Sequence, residues 1–350
     1  MRSLYILFFI LALNIFFFST APLKAKAFIV DEIEISEKLE NNFNKELLIN
    51  KGFNKAFDEL INTLLKSSDL KKINFAPLNE IKSMIESFSI KEEKFINKEY
   101  YLNIGVKFNK KKVFNYLVKN NVFPTQIIKE TFLFIPIIIN QKENNLLVFS
   151  QNSIYKSWKS IDKKSFLINY ILPTEDLEDL NKIKEKFSTI ENYDFKEVIE
   201  KYYLNHSIIA LIFKDNNEIK VLSKIDIGDQ KIIRNDSFKS FDFNDEDKTK
   251  NFINELKIIY EDLWKNHNQI NTSIKLPLII QIDNKNLKRS LEFEKTLNEI
   301  DLISNFSVKR FDKDLIFYDV IFNGTPKNFI NIMNNRNYNF DTQKKIWILE

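Results

Sequence analysis

Asp176 and Asp179 lie one helical turn apart after Pro173-Thr174, the spacing best suited in this sequence to acid–base work or to holding a cation. The same spacing has a plainer use, because acids in a first helical turn offset the macrodipole and cap the backbone. His206 and His267 are the only histidines, too few for a metal cluster or a Ser-His-Asp triad. His206, in Tyr-Leu-Asn-His-Ser ahead of an apolar run, reads as a hydrogen-bonded structural histidine at a strand entrance. His267 reads as a dipole partner at a helix end. Asp242, Asp245, Glu246 and Asp247 lack the central Gly and distal Glu of a calcium loop, so helix capping accounts for them. Phosphate loops, HExxH and GxSxG are absent from the sequence, and neither a metal nor a cofactor is implied. Trp158 is the remaining candidate. It shares a helical face with Ile154 and Tyr155, either as core packing on a nearby strand or as an exposed aromatic patch for a partner.

These residues need a scaffold, and the stretch Phe132 to Asn140 is its centre. It is apolar at every position but the last, which predicts a strand covered on both faces. Before it, Phe28 to Ser36 is extended, and Asn41 to Leu65 is a helix with Ile49, Phe53, Ala56, Leu60 and Leu64 on one face. Gly52 inside that helix predicts close packing against a strand. Leu102 to Phe108 alternates strictly, as a half-buried antiparallel strand does. After it come Leu146 to Phe149, a short helix up to Trp158, a strand from Phe166 to Leu172 and a helix from Asp176 to Phe187. A helix opened by Asp194 and Glu197 in a capping box follows, then the apolar run Ile208 to Phe213, the alternating strand Glu218 to Ile227, and a helix carrying Phe252, Leu256, Ile259 and Leu263. The last stretch reads βαββαβ, the ferredoxin-like order, with Phe317, Tyr318 and Phe322 as core rather than as an RNA platform.

The expected fold is therefore α+β and α/β. An N-terminal α+β unit occupies 28–125, a central mixed, largely parallel α/β sheet 126–270, and a ferredoxin-like unit 275–350. Residues 1–27 have the layout of a secretory signal: Arg2, an apolar run from Leu4 to Phe18, and Ala25 and Ala27 at the cleavage site. The alternative is an uncleaved inner-membrane anchor, for which the run is short of the ~20 residues a span needs. Arg2, Lys24 and Lys26 are three of the 52 basic residues, so removing the leader leaves 49 against 48 acidic ones. That balance gives no electrostatic reason for nucleic acid as partner, and no stable membrane span remains after cleavage. A chain without Cys in an oxidising compartment points to a bacterial periplasm and excludes a lipoprotein anchored through an N-terminal Cys.

Three stretches carry a resemblance. They are Phe88-Ser-Ile-Lys-Glu-Glu leading to Tyr101-Leu-Asn-Ile-Gly-Val-Lys-Phe108; Phe134-Ile-Pro136 with Asn152 and Trp158; and Leu172-Pro-Thr-Glu-Asp-Leu-Glu-Asp179 with a later Tyr203. In order and spacing they resemble the proteobacterial exported proteins catalogued as domain of unknown function 2066. Glu175 stands where that family tends to have Gly. The resemblance implies export and a fold, and carries no activity. The expected function is a non-catalytic periplasmic protein that binds another envelope component. The alternative is a periplasmic hydrolase or ligand-processing enzyme using Asp176 and Asp179 in a cleft at the ends of parallel strands.

Overall fold

The computed structural model describes residues 27–350 except 41, 42, 74, 75, 216, 217, 229, 272, 273, 284 and 286. Residues 1–26, and with them Ala25 of the expected signal, lie outside the described residues. Ala27 is the first described residue, and its backbone pairs with Asn109.

Strand β1 (Ala27–Lys38) leads to the long helix α1 (Lys45–Leu64), two short helices, α2 (Ser67–Ile73) and α3 (Leu78–Met84), and the hairpin of β2 (Ile85–Ile96) and β3 (Glu99–Asn109). The hairpin turns on Asn97 and Lys98, both at positive φ, as a two-residue type I′ turn requires. Helix α4 (Lys110–Lys119) closes this stretch. Next come β4 (Glu130–Asn140), β5 (Asn145–Leu147), α5 (Ser153–Ser157), β6 (Ile168–Ile171), α6 (Leu177–Glu185), α7 (Lys196–Glu200), β7 (Ser207–Lys214), β8 (Glu218–Asp226), β9 (Lys231–Lys239) and the long helix α8 (Glu246–His267). The chain ends with β10 (Leu276–Asp283), α9 (Leu287–Glu299), β11 (Ile303–Asp312), β12 (Leu315–Phe322), α10 (Pro326–Asn334), β13 (Phe340–Asp341) and β14 (Ile346–Leu349).

Two compact units result. One takes in residues up to 56 with 76–119 and 272–350, the other 57–75 with 120–271. In the first, β3 is the middle of a three-stranded antiparallel sheet ordered β1-β3-β2. Its Leu102, Ile104, Val106 and Phe108 are buried as the alternation predicts. Helix α1 lies on that face, and Phe114 of α4 packs against Phe28 of β1 on it. Gly52 of α1 approaches so closely that a Cβ there would sit 2.6 Å from Ile104 Cδ1 and 2.8 Å from Ile35 Cδ1, which is why no larger residue stands at this point of the helix. The same unit holds the C-terminal sheet, ordered β11-β12-β10-β14-β13. Its βαββα core is ferredoxin-like, but a hairpin closes it instead of one strand: β13 turns back into β14, which pairs parallel to β10.

In the second unit, β4 is covered on both faces. Phe132, Phe134 and Ile138 join Trp158, Leu256, Tyr260 and Trp264 on the side of α8, while Leu133, Ile135, Ile137 and Ile139 join Ile183 and Val198 on the side of α6 and α7. The sheet is mixed. β4 runs parallel to β6 and β7, and the pairings β4–β5, β7–β8 and β8–β9 are antiparallel.

Pro136 in the centre of such a strand requires an account, since it lacks the N–H that a ladder uses. A residue's N–H and C=O point the same way in a strand. On β4 the edge beside Pro136 falls between β6, which pairs residues 130–133, and β5, which pairs 138–140. Asn152 fills that gap. Fully buried, it donates from Nδ2 to the Pro136 carbonyl (3.0 Å) and the Leu147 carbonyl (3.3 Å), and its Oδ1 accepts from the backbone N–H of Ile154 (2.9 Å) and Tyr155 (3.3 Å). One side chain thus completes a sheet edge and caps α5.

Candidate functional site

A concavity of about 460 Å³ lies on the N-terminal sheet. Strand alternation puts Leu102 and Ile104 against α1, so Tyr101 and Asn103 of β3 face away from the helix. Register then aligns Glu34 and Ser36 of β1 on one flank of them, and Glu92 and Lys94 of β2 on the other. Ile96 adds apolar surface, and Lys55 closes one end by donating to the Glu34 carbonyl (2.8 Å). Most polar groups here are already engaged: Lys94 pairs with Glu92 at 2.5 Å, and the Tyr101 hydroxyl donates to Glu99 at 2.7 Å. The Asn103 carboxamide oxygen is out of contact with solvent and without a hydrogen-bond partner, as is Asn254 Oδ1 of α8. On the helix side of the same hairpin, the Tyr100 hydroxyl and the Lys45 ammonium (2.9 Å) bond Glu93 and hold its carboxyl below the usual range.

The residues singled out from sequence lie elsewhere. Asp176 is exposed and caps α6, accepting from the Asp179 backbone N–H at 3.0 Å, and this bond lowers its pKa. Asp179 is buried, and both its oxygens accept from Lys201 Nζ at 2.7 Å. The two carboxylates are therefore turned to different partners, one to the backbone and one to an ammonium. Trp158 is wholly buried, stacked on Phe134 with ring centroids 3.7 Å apart and edge-on to Tyr170. It presents no surface to a partner. His206 is held by its ring, stacked on Phe132 at 4.8 Å, while its Nδ1 has no hydrogen-bond partner, so stacking replaces the hydrogen bond expected of it. Asp245 caps α8, as the acidic cluster suggests. Asp194 accepts from the Lys196 N–H, but Glu197 goes to Lys182 (3.0 Å), so no capping box forms.

A set that sequence reasoning missed lies along α8. Lys257, Glu261 and Lys265 recur every fourth residue and are all buried. Glu261 accepts from the N–H groups of Leu167 (3.0 Å) and Ile168 (2.8 Å), anchoring the start of β6, and burial raises its pKa. Lys265 donates to the carbonyls of Asn62 (2.6 Å) and Leu65 (3.1 Å), which are orphan acceptors at the end of α1. Lys257 donates to the Ile161 carbonyl, lies 5.1 Å above the Trp158 ring, and is pushed down to about 8, chiefly by burial. Helical spacing of four was the available signal, though charges so spaced usually mark a solvated face.

No family model matches this sequence, and no curated protein matches it. Among the described residues, no group of His, Cys, Asp and Glu could hold a metal, and no helix is long and apolar enough to cross a membrane.

Proposed function

We propose that this chain is a non-catalytic binding protein of the bacterial periplasm that holds another envelope component against its N-terminal sheet. The groove itself carries the reading: a concavity of about 460 Å³ on the sheet face away from α1, with the carboxylates of Glu34 and Glu92 and the Ser36 hydroxyl on its walls. A backbone or side-chain N–H of a protein segment fits these acceptors, and Ile96 and Tyr101 offer apolar area beside them. The periplasmic address is supported by the leader-like residues 1–27 and by the resemblance to the exported family.

A photoreactive residue in place of Tyr101, in the full chain expressed in a Gram-negative cell, tests both parts. One discrete heavier adduct is expected in the envelope fraction, lost when Asn103→Leu is added and absent when the probe replaces the exposed Leu291 of α9. Equal adducts at both positions would falsify the binding role. A mass that retains residues 1–27 would remove the periplasmic address. Turnover of a cell-wall fragment abolished by Asp176→Asn would show an enzyme instead.

A further inference from the structure

The second strand of the N-terminal sheet is its weak side. β2 is the edge of the order β1-β3-β2, and its helix-side residues stay partly bare: Phe88 is 45% exposed, Ile90 40% and Phe95 58%. A long exposed edge with apolar side chains is a template for another strand unless something covers it.

We infer that what covers it is a second copy of this chain, paired antiparallel through β2 about a twofold axis at Glu92. The register of β2 favours this occupant. Two bulges interrupt it, at Glu86 and at Lys91, leaving Ser87 to Ile96 in step with β3 apart from Lys91. The midpoint of that run is Glu92. A dyad there sets Phe88 against Phe95 of the partner and Ile90 against Glu93 on the helix side, and Ser89 against Lys94 on the other. Because the bulge at Lys91 flips the alternation, every one of these pairs shares a face. Without the bulge, pairing Phe88 with Phe95 would put the rings on opposite faces. The bare rings then meet as two aromatic cross-strand pairs. Glu92 meets its own copy at the axis, a like-charge contact relieved by Lys94, which already pairs with Glu92 within one chain and lies diagonally across from the partner's Glu92.

This inference rests on the proposed binding role in one respect only. Glu92, Lys94 and Ile96 are both groove wall and edge strand, so dimerisation would join two grooves into one longer surface. The test needs no envelope component, so it fails or stands separately from that role.

The chain has no cysteine, which makes single-cysteine variants of the full chain clean probes. Under mild oxidation, Glu92→Cys should form a disulfide dimer with itself. Phe88→Cys and Phe95→Cys should each form no disulfide alone and cross-link when mixed. The comparison is Val308→Cys on β11, also an exposed edge strand. Glu92→Cys is expected to cross-link at least on the order of tenfold faster than Val308→Cys, as a preformed contact raises effective concentration. Light scattering of the parent chain should give twice the chain mass. Equal cross-linking rates for Glu92→Cys and Val308→Cys, self-cross-linking of Phe88→Cys alone, or a monomeric parent each overturn the inference. A monomer would leave the edge to a strand from a different protein.

Discussion

The interior beneath α8 and the sheet under α1 handle their surfaces in opposite ways. In the first, both faces of β4 are covered, and even the charged groups are engaged: Glu261 holds two backbone N–H groups, and Lys265 and Lys257 hold carbonyls. In the second, a groove opens on the sheet face away from α1, and the edge strand β2 leaves Phe88, Ile90 and Phe95 partly exposed. Residue chemistry alone therefore misleads, because the ionisable side chains with the most perturbed surroundings act as struts while the open surface is lined by ordinary ones. Uncovered area, more than charge, is what sets the sheet apart from the interior.

The sharpest way to break this contrast is Trp158→Ala. If the interior is closed as described, losing a ring stacked on Phe134 should cost ~3–5 kcal/mol and lower the unfolding midpoint by well over a degree or two. A midpoint within that range of the parent would mean that the interior tolerates a void. Next in size, Glu261→Ala strands the N–H groups of Leu167 and Ile168 and should cost ~2–4 kcal/mol in urea unfolding. A loss under about 0.5 kcal/mol would show the carboxylate to be dispensable there.

The pH dependence sharpens the comparison further. Burial lowers Lys257 from 10.5 to about 8, so between those values the folded state has shed a proton that the unfolded chain keeps. Stability from this group therefore rises with pH through that window, by on the order of 1 kcal/mol per pH unit. Urea midpoints at pH 7.5 and 9.5 should rise for the parent relative to Lys257→Met, and parallel profiles would reject the buried charge. The smallest effect belongs to the open sheet. Phe95→Ala should change monomer stability by less than ~1 kcal/mol, because much of its ring is already in water. A loss as large as that at Trp158 would show that β2 is not an open edge.

The sequence showed what depends on continuous or strictly periodic side chains. The unbroken apolar run of β4, the alternation of β3 and the Gly52 contact were all legible, because each is a local pattern with one physical cause. β9 was not. Its centre, Arg234-Asn235-Asp236-Ser237, has loop composition, and only pairing with β8 makes it a strand. The closing hairpin was half legible: Lys345 to Leu349 reads as a strand, but Phe340–Asp341 is too short to show a pattern. The groove was harder still. Alternation tells that Asn103 faces away from Leu102, but the neighbours that make a groove come from Glu34 and Glu92, which only register brings together. Asp176 and Asp179 have the spacing of a site, and side-chain direction, which spacing does not encode, decides what they do.

The Asn152 carboxamide beside Pro136 also has an entropic meaning. It reaches a carbonyl only sixteen residues back along the chain, whereas the opposite edge of β4 waits for β7, where Pro136 pairs with Ala210. Loop-closure entropy grows with the length of chain between contacts. The side of β4 interrupted by proline is thus the side whose closure costs the chain less entropy, and a residue that looks like a flaw in the ladder sits on the edge with the shorter loop.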